Sequence, residues 1–187
     1  WVPALICGIK DSDAVKRGIC PAGHKAMFNP SWGGYPDAEF LGEVNGKLAE
    51  LRKKLPDTAY SIKNAVGSLS AEWASKMGLE AGIPVAVGAF DAHTGGVGSG
   101  IEPGVMVKNL GTSTCDMMVV PLAEDLPDIP GLSGIVPESI LPGYYGLEAG
   151  QSAVGDIFNW FVGYLEPGGP ETGSHEALTK KAEALKP

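Results

Sequence analysis

The hydrophobic periodicity of this 187-residue chain changes near residue 80, and this change constrains the fold more than any other feature. Before it, apolar residues recur at intervals of three and four, as in Pro36–Leu55, which is typical of amphipathic helices. After it, glycine-rich turns separate short apolar runs, which predict strands at Ile83–Phe90, Gly104–Leu110 and Thr114–Val120. Helical segments on both sides of these strands predict a layered α/β chain.

Further elements follow from capping residues and turn residues. Ser70 and Gly78 have the character of a helix cap and a helix stop, so they bound a predicted helix. Pro121–Gly134 is rich in proline and acidic residues and predicts an exposed connection before a strand near Tyr144–Leu147. The other predicted helices are Asp11–Gly18, a helix that ends near Leu165, and Ser174–Leu185.

Charge and composition argue against some classes of function. Charged residues make up 19% of the chain and the formal net charge is -8, without a cluster of lysine and arginine. Binding to nucleic acid or to an anionic membrane therefore has little support, and small-molecule chemistry is favoured. The 27 glycines and 15 prolines predict many turns with functional roles.

Cysteine and histidine placement argues against a disulfide framework and against a zinc site. Three widely spaced cysteines fit a reducing cytoplasm. The three histidines are scattered, so no metal-ligating residue is predicted. We expect neither a membrane span nor a signal peptide, and because Trp1 lies within an apolar stretch we expect a piece of a longer protein.

Four segments combine reactive side chains with small neighbours. Asp91 ends an apolar strand, where a carboxylate can act as a general base; the alternative is a helix cap. The backbone at Gly111 and Thr112 can form a phosphate-binding turn, or a plain hairpin. Glu148 precedes a glycine-rich helix start, which favours either anion binding or close helix packing. Lys25 lies in a turn-rich aromatic setting, where a solvated lysine is the usual alternative.

Taken together, these segments resemble the FGGY carbohydrate kinases. The resemblance covers about Arg17 to Leu165 and rests on five motifs in the family's order: Ala22–Met27, Ser31–Gly34, Gly88–His93, Leu110–Asp116 and Gly146–Ala153. It implies ATP-dependent phosphorylation of the terminal hydroxyl of L-ribulose, in L-arabinose catabolism. It also implies an actin-, Hsp70- and hexokinase-like (ribonuclease H-like) fold of mixed sheets with flanking helices, present here in part.

The resemblance assigns roles to individual residues. Asp91 takes the place of the catalytic base and also binds the substrate, and Lys25 and Glu148 take places that hold the sugar hydroxyls. The positions implied to approach ATP are Gly111, Thr112, Gly155 and Asn159. Residues 1–100 correspond to the end of an N-terminal sugar-binding domain, and residues 101–187 to the start of a C-terminal ATP-binding domain.

The chain lacks the N-terminal phosphate motif of the family, which helps to place Mg²⁺, and its C-terminal adenosine motif. Its Mg²⁺ ligands are therefore expected outside this sequence. Two alternatives stay open: another FGGY kinase that acts on xylulose or a polyol, and a sugar-binding module without catalysis. An incomplete sheet also exposes strand edges, which favours self-association such as a homo-oligomer.

Overall fold

The computed structural model describes residues 1–165, 167–169 and 173–185. Its helices are α1 Val2–Ile6, α2 Ile19–Ala26, α3 Ala38–Val44, α4 Gly46–Arg52, α5 Ala71–Met77, α6 Asp91–Gly98, α7 Val154–Leu165 and α8 His175–Ala184. Its strands are β1 Ala65–Ser68, β2 Pro84–Ala86, β3 Val107–Leu110, β4 Thr114–Pro121, β5 Gly134–Pro137 and β6 Tyr144–Gln151. This is the mixed α/β class that the change of periodicity predicts.

The chain forms two compact units. Trp1–Val107 and Asp116–Ala149 make up the first unit, and Lys108–Cys115 and Gly150–Pro187 make up the second. In the first unit β6 lies between β4 and β5, and β1 pairs with β2 in a separate antiparallel sheet. The antiparallel β5 and β6 place Gly134 opposite Glu148.

Three predicted boundaries of two helices, α5 and α8, are confirmed by their caps. The Ser70 hydroxyl accepts a hydrogen bond from the Trp73 N–H at 3.4 Å, and Gly78 ends α5 with a φ of 68°. The Ser174 hydroxyl accepts from the Ala177 N–H at 3.2 Å at the start of α8. Each serine side chain satisfies a backbone donor that the start of a helix leaves unpaired.

The single helix predicted over Pro36–Leu55 is wrong: the segment forms α3 and α4, with a break at Asn45. Asn45 is extended, with φ -165° and ψ 129°, and its side chain accepts from the Lys47 N–H at 2.9 Å. Asparagine competes with helix continuation in this way because its amide can bond the neighbouring backbone. The apolar spacing runs through the break, so periodicity alone did not reveal it.

The helix predicted over Asp11–Gly18 is also wrong. That segment contains only a short 3-10 turn, Ser12–Ala14, and the helix begins later, at Ile19. Helix α2 carries Pro21 in its first turn, where the missing N–H costs no hydrogen bond. Its buried residues are Ile19, Cys20 and Ala22.

The core of the first unit joins α2 to β5. Ile19, Ala22, Phe28, Tyr35 and Val136 form its buried cluster, in which the Phe28 and Tyr35 rings meet edge to face at 5.1 Å. Gly23 lies so close to the Val136 side chain that a Cβ there would overlap both methyl groups. This close approach fixes the C-terminal turn of α2, which carries His24 and Lys25, against the β5–β6 hairpin.

The second unit places a tight hairpin against the start of α7. The Gly111 N–H donates to the Ser113 carbonyl at 2.9 Å, which closes the turn after β3. The Thr112 carbonyl accepts from the Val154 and Gly155 N–H groups at 2.6 and 3.1 Å. A Cβ at Gly155 would lie 3.0 Å from the Gly111 carbonyl oxygen, so the two backbones are in contact here.

Within the described ranges, none of the helices has both the length and the apolar character that crossing a membrane requires.

Candidate functional site

The candidate site lies in the first unit, where three elements bring one carboxylate and three basic side chains together. Lys25 and His24 come from the last turn of α2, His93 from α6, and Glu148 from the middle of β6. The packing of α2 against β5, next to β6, explains the proximity of the first two to Glu148. His24 and His93 are distant in sequence, yet their ring centroids lie 4.8 Å apart.

Glu148 is the centre of this cluster. Its Oε1 lies 3.3 Å from the Lys25 Nζ, and its Oε2 lies 3.4 Å from the His24 Nδ1 and 3.2 Å from the His93 Nε2. The Glu148 residue is only 8% exposed, whereas the Lys25 side chain is 60% exposed. The cluster therefore presents an ammonium group towards solvent and keeps a carboxylate beneath it.

Small residues make room for the buried side chains. A Cβ at Gly134 would lie 2.5 Å from the His24 Nδ1, and one at Gly146 would overlap the Ser139 hydroxyl. Ser139, fully buried, donates its hydroxyl proton to the Val136 carbonyl at 3.0 Å and contacts the His24 Nε2 at 3.0 Å. Gly134 and Gly146 thus leave the space that the His24 and Ser139 side chains occupy.

Burial keeps both imidazoles neutral near pH 7. Desolvation lowers the pKa of His24 to about 4, against the opposing charge of Glu148, and His93 and Lys25 lower it further. Desolvation also lowers the pKa of His93, again opposed by Glu148. Their ordinary pKa is about 6.5, so the charged forms are disfavoured in the folded protein.

We expect the protein to lose stability as the pH falls from about 6.5 to about 4. In this window the unfolded chain binds a proton at His24 that the folded chain excludes, so folding becomes less favourable by at most about 3 kcal/mol. Thermal unfolding at pH 7 and pH 4.5 measures the loss of stability, and a chelator keeps metal ions away from the histidines. His24→Gln is expected to flatten the pH dependence; an unchanged slope in that variant would contradict the assignment.

Asp91 lies beside this cluster, at the first residue of α6. Phe90 precedes it as the helix cap residue, and the Phe90 ring centroid lies 5.7 Å from the Lys25 Nζ. The Asp91 carboxylate is exposed, accepts from the Ala92 N–H at 2.8 Å, and its charge acts on His93. The strand predicted to end at Phe90 stops earlier, at Ala86, so Asp91 follows a short loop.

The residues predicted to approach a nucleotide all lie in the second unit. Gly111 and Thr112 form the hairpin after β3, and Gly155 touches that hairpin from the first turn of α7. Asn159 lies one turn further along α7, where its Oδ1 is 2.9 Å from the His175 Nε2. The structure thus brings the hairpin and the start of α7 together. Gly111 and Thr112 lie in a hairpin turn, and Gly155 packs closely against it, as the two structural alternatives for these segments predict.

His24, His93 and Ser139 are the members of the site that sequence reasoning missed. His24 and His93 each adjoin or nearly adjoin a residue that was singled out, Lys25 and Asp91, and this adjacency was the available signal. Their burial depends on the packing of α2 and α6 around Glu148, which no local pattern encodes.

Comparison with known proteins identifies the segment. Residues 106–184 match the C-terminal domain of the FGGY family of carbohydrate kinases. The chain is 42% identical to the ribulokinase of Vibrio parahaemolyticus over 167 residues, which cover 88% of this chain and 29% of that protein. It is also 42% identical to the ribulokinase of Bacillus licheniformis over 186 residues, or 98% of this chain and 31% of the relative. The chain thus spans about a third of the length of these relatives.

Solved structures show the same relationship. The xylulose kinase of Rhodospirillum rubrum superposes with a TM-score of 0.58 and 26% identity over 75% of this chain and 28% of its own length. A xylulose kinase from Brucella ovis, at 21% identity and a TM-score of 0.53 over 70% of this chain and 25% of its own, shares the fold. Residues 106–184 therefore match the C-terminal domain of the FGGY family of carbohydrate kinases, and the resemblance of the chain to that family and to its ribulokinases is confirmed.

Proposed function

We propose that the protein containing this chain transfers the γ-phosphoryl group of ATP to the terminal hydroxyl of L-ribulose, giving L-ribulose 5-phosphate in L-arabinose catabolism. The observation that carries the proposal is the buried Glu148 carboxylate beneath the exposed Lys25 ammonium, 3.3 Å away. The similarity to ribulokinases over nearly the whole chain supports the same substrate. The three cysteines are thiols, which fits a cytoplasmic enzyme.

Lys25 and Glu148 supply complementary hydrogen-bonding groups for a sugar. The ammonium donates to hydroxyl oxygens and the carboxylate accepts from hydroxyl protons, so the pair can hold two neighbouring hydroxyls in one orientation. The two imidazoles contact the Glu148 Oε2, whereas Lys25 contacts its Oε1. Orientation of this kind lowers the barrier of a transfer reaction by fixing the reacting hydroxyl.

Asp91 is the proposed general base. In this proposal its exposed carboxylate accepts the proton of a sugar hydroxyl as that oxygen attacks phosphorus, and the neighbouring Phe90 ring, whose centroid is 5.7 Å from the Lys25 Nζ, supports this role. The oxygen–phosphorus bond forms, the bond from phosphorus to the bridging oxygen of ATP breaks, and ADP leaves with the bonding electrons. Because phosphoryl transfer depends mainly on positioning and charge, one base and a sugar clamp suffice on the sugar side.

Gly111, Thr112, Gly155 and Asn159 are the proposed nucleotide-facing positions. The close approach of Gly155 to the hairpin leaves backbone, rather than side chain, at this surface. The first two amides of α7 already donate to Thr112, so phosphate oxygens would meet the outer face of the hairpin turn. We also propose residues 1–100 and 101–187 as the adjoining ends of a sugar-binding and an ATP-binding domain.

Mg²⁺ accompanies ATP in this proposal, but the potential metal ligands among the described side chains do not suit Mg²⁺. Of the described side chains, those that cluster as metal ligands are His24, His93 and Glu148, a set with two nitrogens. Mg²⁺ prefers an octahedron of oxygen atoms and retains waters. No step on this chain is therefore assigned to Mg²⁺.

A second candidate is a kinase of the same family with another sugar, because the solved structure at 26% identity is a xylulose kinase. The two are separated by ADP release from the full native polypeptide with ATP, Mg²⁺ and either L-ribulose, D-xylulose or a polyol. We expect the highest kcat/KM with L-ribulose. A higher value with D-xylulose would favour the second candidate, and sugar binding without any turnover would favour a binding module.

Lys25→Met is expected to raise the KM for the sugar about tenfold or more, with a smaller change in kcat. The substitution removes a charge-assisted hydrogen bond of about 1.5–3 kcal/mol and keeps the apolar stem. Steady-state kinetics with varied sugar measures the effect. Lys54→Met, on an exposed residue that has no role in the proposed site, is the matched control, and equal KM values in both variants would refute a sugar contact by Lys25.

A further inference from the structure

The side chains around Glu148 form a buried set of metal-ligand type. The side chains of His24, His93 and Glu148 are 0%, 1% and 10% exposed, and their ligand atoms lie within 4.8 Å of one another. They come from α2, α6 and β6, so the fold, and not one local motif, assembles them. Nitrogen and carboxylate ligands in this combination suit Zn²⁺ and related transition-metal ions.

The contact with Ser139 determines which nitrogen of the neutral His24 ring carries the proton and which can bind a cation. The Ser139 hydroxyl proton goes to the Val136 carbonyl, so the Ser139 oxygen accepts at 3.0 Å from the His24 Nε2–H. The neutral ring then carries a lone pair, and no proton, at Nδ1. That lone pair faces the negatively charged Glu148 Oε2 at 3.4 Å, an arrangement that a cation between the two atoms would stabilise.

The two contacts of the Glu148 Oε2 have the distances of neighbouring ligand atoms in a metal site without forming hydrogen bonds, and all the ligand atoms of the set lie within 4.8 Å of one another. Among the described residues, no hydrogen bond reaches the His24 Nδ1, either ring nitrogen of His93, or the Glu148 Oε2. Yet Oε2 is 3.2 Å from the His93 Nε2 and 3.4 Å from the His24 Nδ1. In a tetrahedral zinc site with bonds of about 2.0–2.2 Å, neighbouring ligand atoms are about 3.3–3.6 Å apart.

We propose that the His24 Nδ1, the His93 Nε2 and the Glu148 Oε2 bind one divalent transition-metal ion such as Zn²⁺, with Ser139 orienting the His24 ring. A hydrogen-bonded second nitrogen is what ligating histidines usually have, and the contact from Nε2 to Ser139 provides it. A solvent molecule completes the tetrahedron.

Metal binding has a consequence that rests on the proposed function. The ion would draw the Glu148 carboxylate away from the sugar hydroxyls, so Zn²⁺ is expected to inhibit in competition with the sugar. The metal would thus act as an inhibitor at the sugar site, separate from the Mg²⁺ that accompanies ATP.

The site is tested first without sugar or nucleotide, so that the result does not depend on kinase activity. The metal-free full native polypeptide is titrated with Zn²⁺ against a chromophoric chelator, and with Co²⁺ while visible absorption is recorded. We expect one ion per chain and the intense absorption of tetrahedral Co²⁺. Failure to compete with the chelator, or the weak absorption of octahedral Co²⁺, would overturn the proposal without any variant.

Variants then locate the ion. His24→Gln and His93→Gln are expected to abolish the tetrahedral Co²⁺ spectrum, and Ser139→Ala to weaken Zn²⁺ binding about 10–100-fold. His175→Gln, on the exposed α8, is the matched control and is expected to bind like the unaltered protein. Circular dichroism verifies folding. Binding that is unchanged in folded His93→Gln, or lost in His175→Gln, would contradict the assignment.

Discussion

Asp91→Asn is expected to lower sugar-dependent ADP release by about 10²–10⁴-fold, the usual contribution of a positioned general base. The amide cannot accept the hydroxyl proton as the sugar oxygen attacks phosphorus, whereas its size and its place at the start of α6 are unchanged. Because Lys25 and Glu148 remain, sugar affinity measured by calorimetry should change little. The loss should therefore appear in kcat.

Asp125→Asn is the matched control for this experiment. Asp125 is exposed in the connection between β4 and β5 and has no role in the proposed site, so its substitution is expected to leave kcat unchanged. A kcat for Asp91→Asn within a few-fold of the unaltered protein would show that another group takes the proton. An equal loss in both variants would point to a general effect of charge.

Gly23→Ala is expected to destabilise the protein by about 1–3 kcal/mol or more, the usual cost of forcing a methyl group into a packed core. The new Cβ would overlap both methyl groups of Val136, which is itself buried within the core. Relief requires α2 to move away from β5, and that movement carries His24 and Lys25 away from Glu148. We therefore expect a weaker sugar affinity together with the lower melting temperature.

Gly46→Ala is the control for Gly23→Ala. Gly46 begins α4, and no atom lies within 4 Å of the position that its Cβ would occupy. Alanine is the better helix former by about 1 kcal/mol, so this variant should melt at the same or a higher temperature. Chemical unfolding of both variants measures the difference. A Gly23→Ala protein as stable as Gly46→Ala would contradict the close packing of α2 on β5.

The sequence predicted the elements that end in strong local signals. Ser70 and Gly78 bound α5, and Ser174 begins α8, because capping depends on the residue itself and on its immediate backbone. The break at Asn45 was missed, since apolar spacing continues across it. Asn45 ends α3 and caps α4 through its side chain, although the apolar spacing around it favours one long helix. The helix predicted over Asp11–Gly18 is a short 3-10 turn, in which the Asp11 side chain accepts from the Asp13 N–H at 3.0 Å.

The site was predicted in part for a similar reason. Asp91 and Glu148 stand out because each follows a predicted strand, Lys25 because it lies in a turn-rich aromatic segment, and all three because they match positions of the FGGY resemblance. His24 and His93 were discounted as scattered, and only the packing of α2 and α6 brings both to Glu148. Contacts between residues distant in sequence depend on tertiary packing, which periodicity and spacing do not encode.

The most direct test of the central claim is to identify the product of the full native polypeptide with ATP, Mg²⁺ and L-ribulose. Phosphorus and proton NMR of the mixture report which sugar carbon carries the phosphate. We predict a single phosphomonoester at C5 of L-ribulose that appears in step with ADP. Unchanged L-ribulose, with a folded protein and intact ATP, would contradict the account.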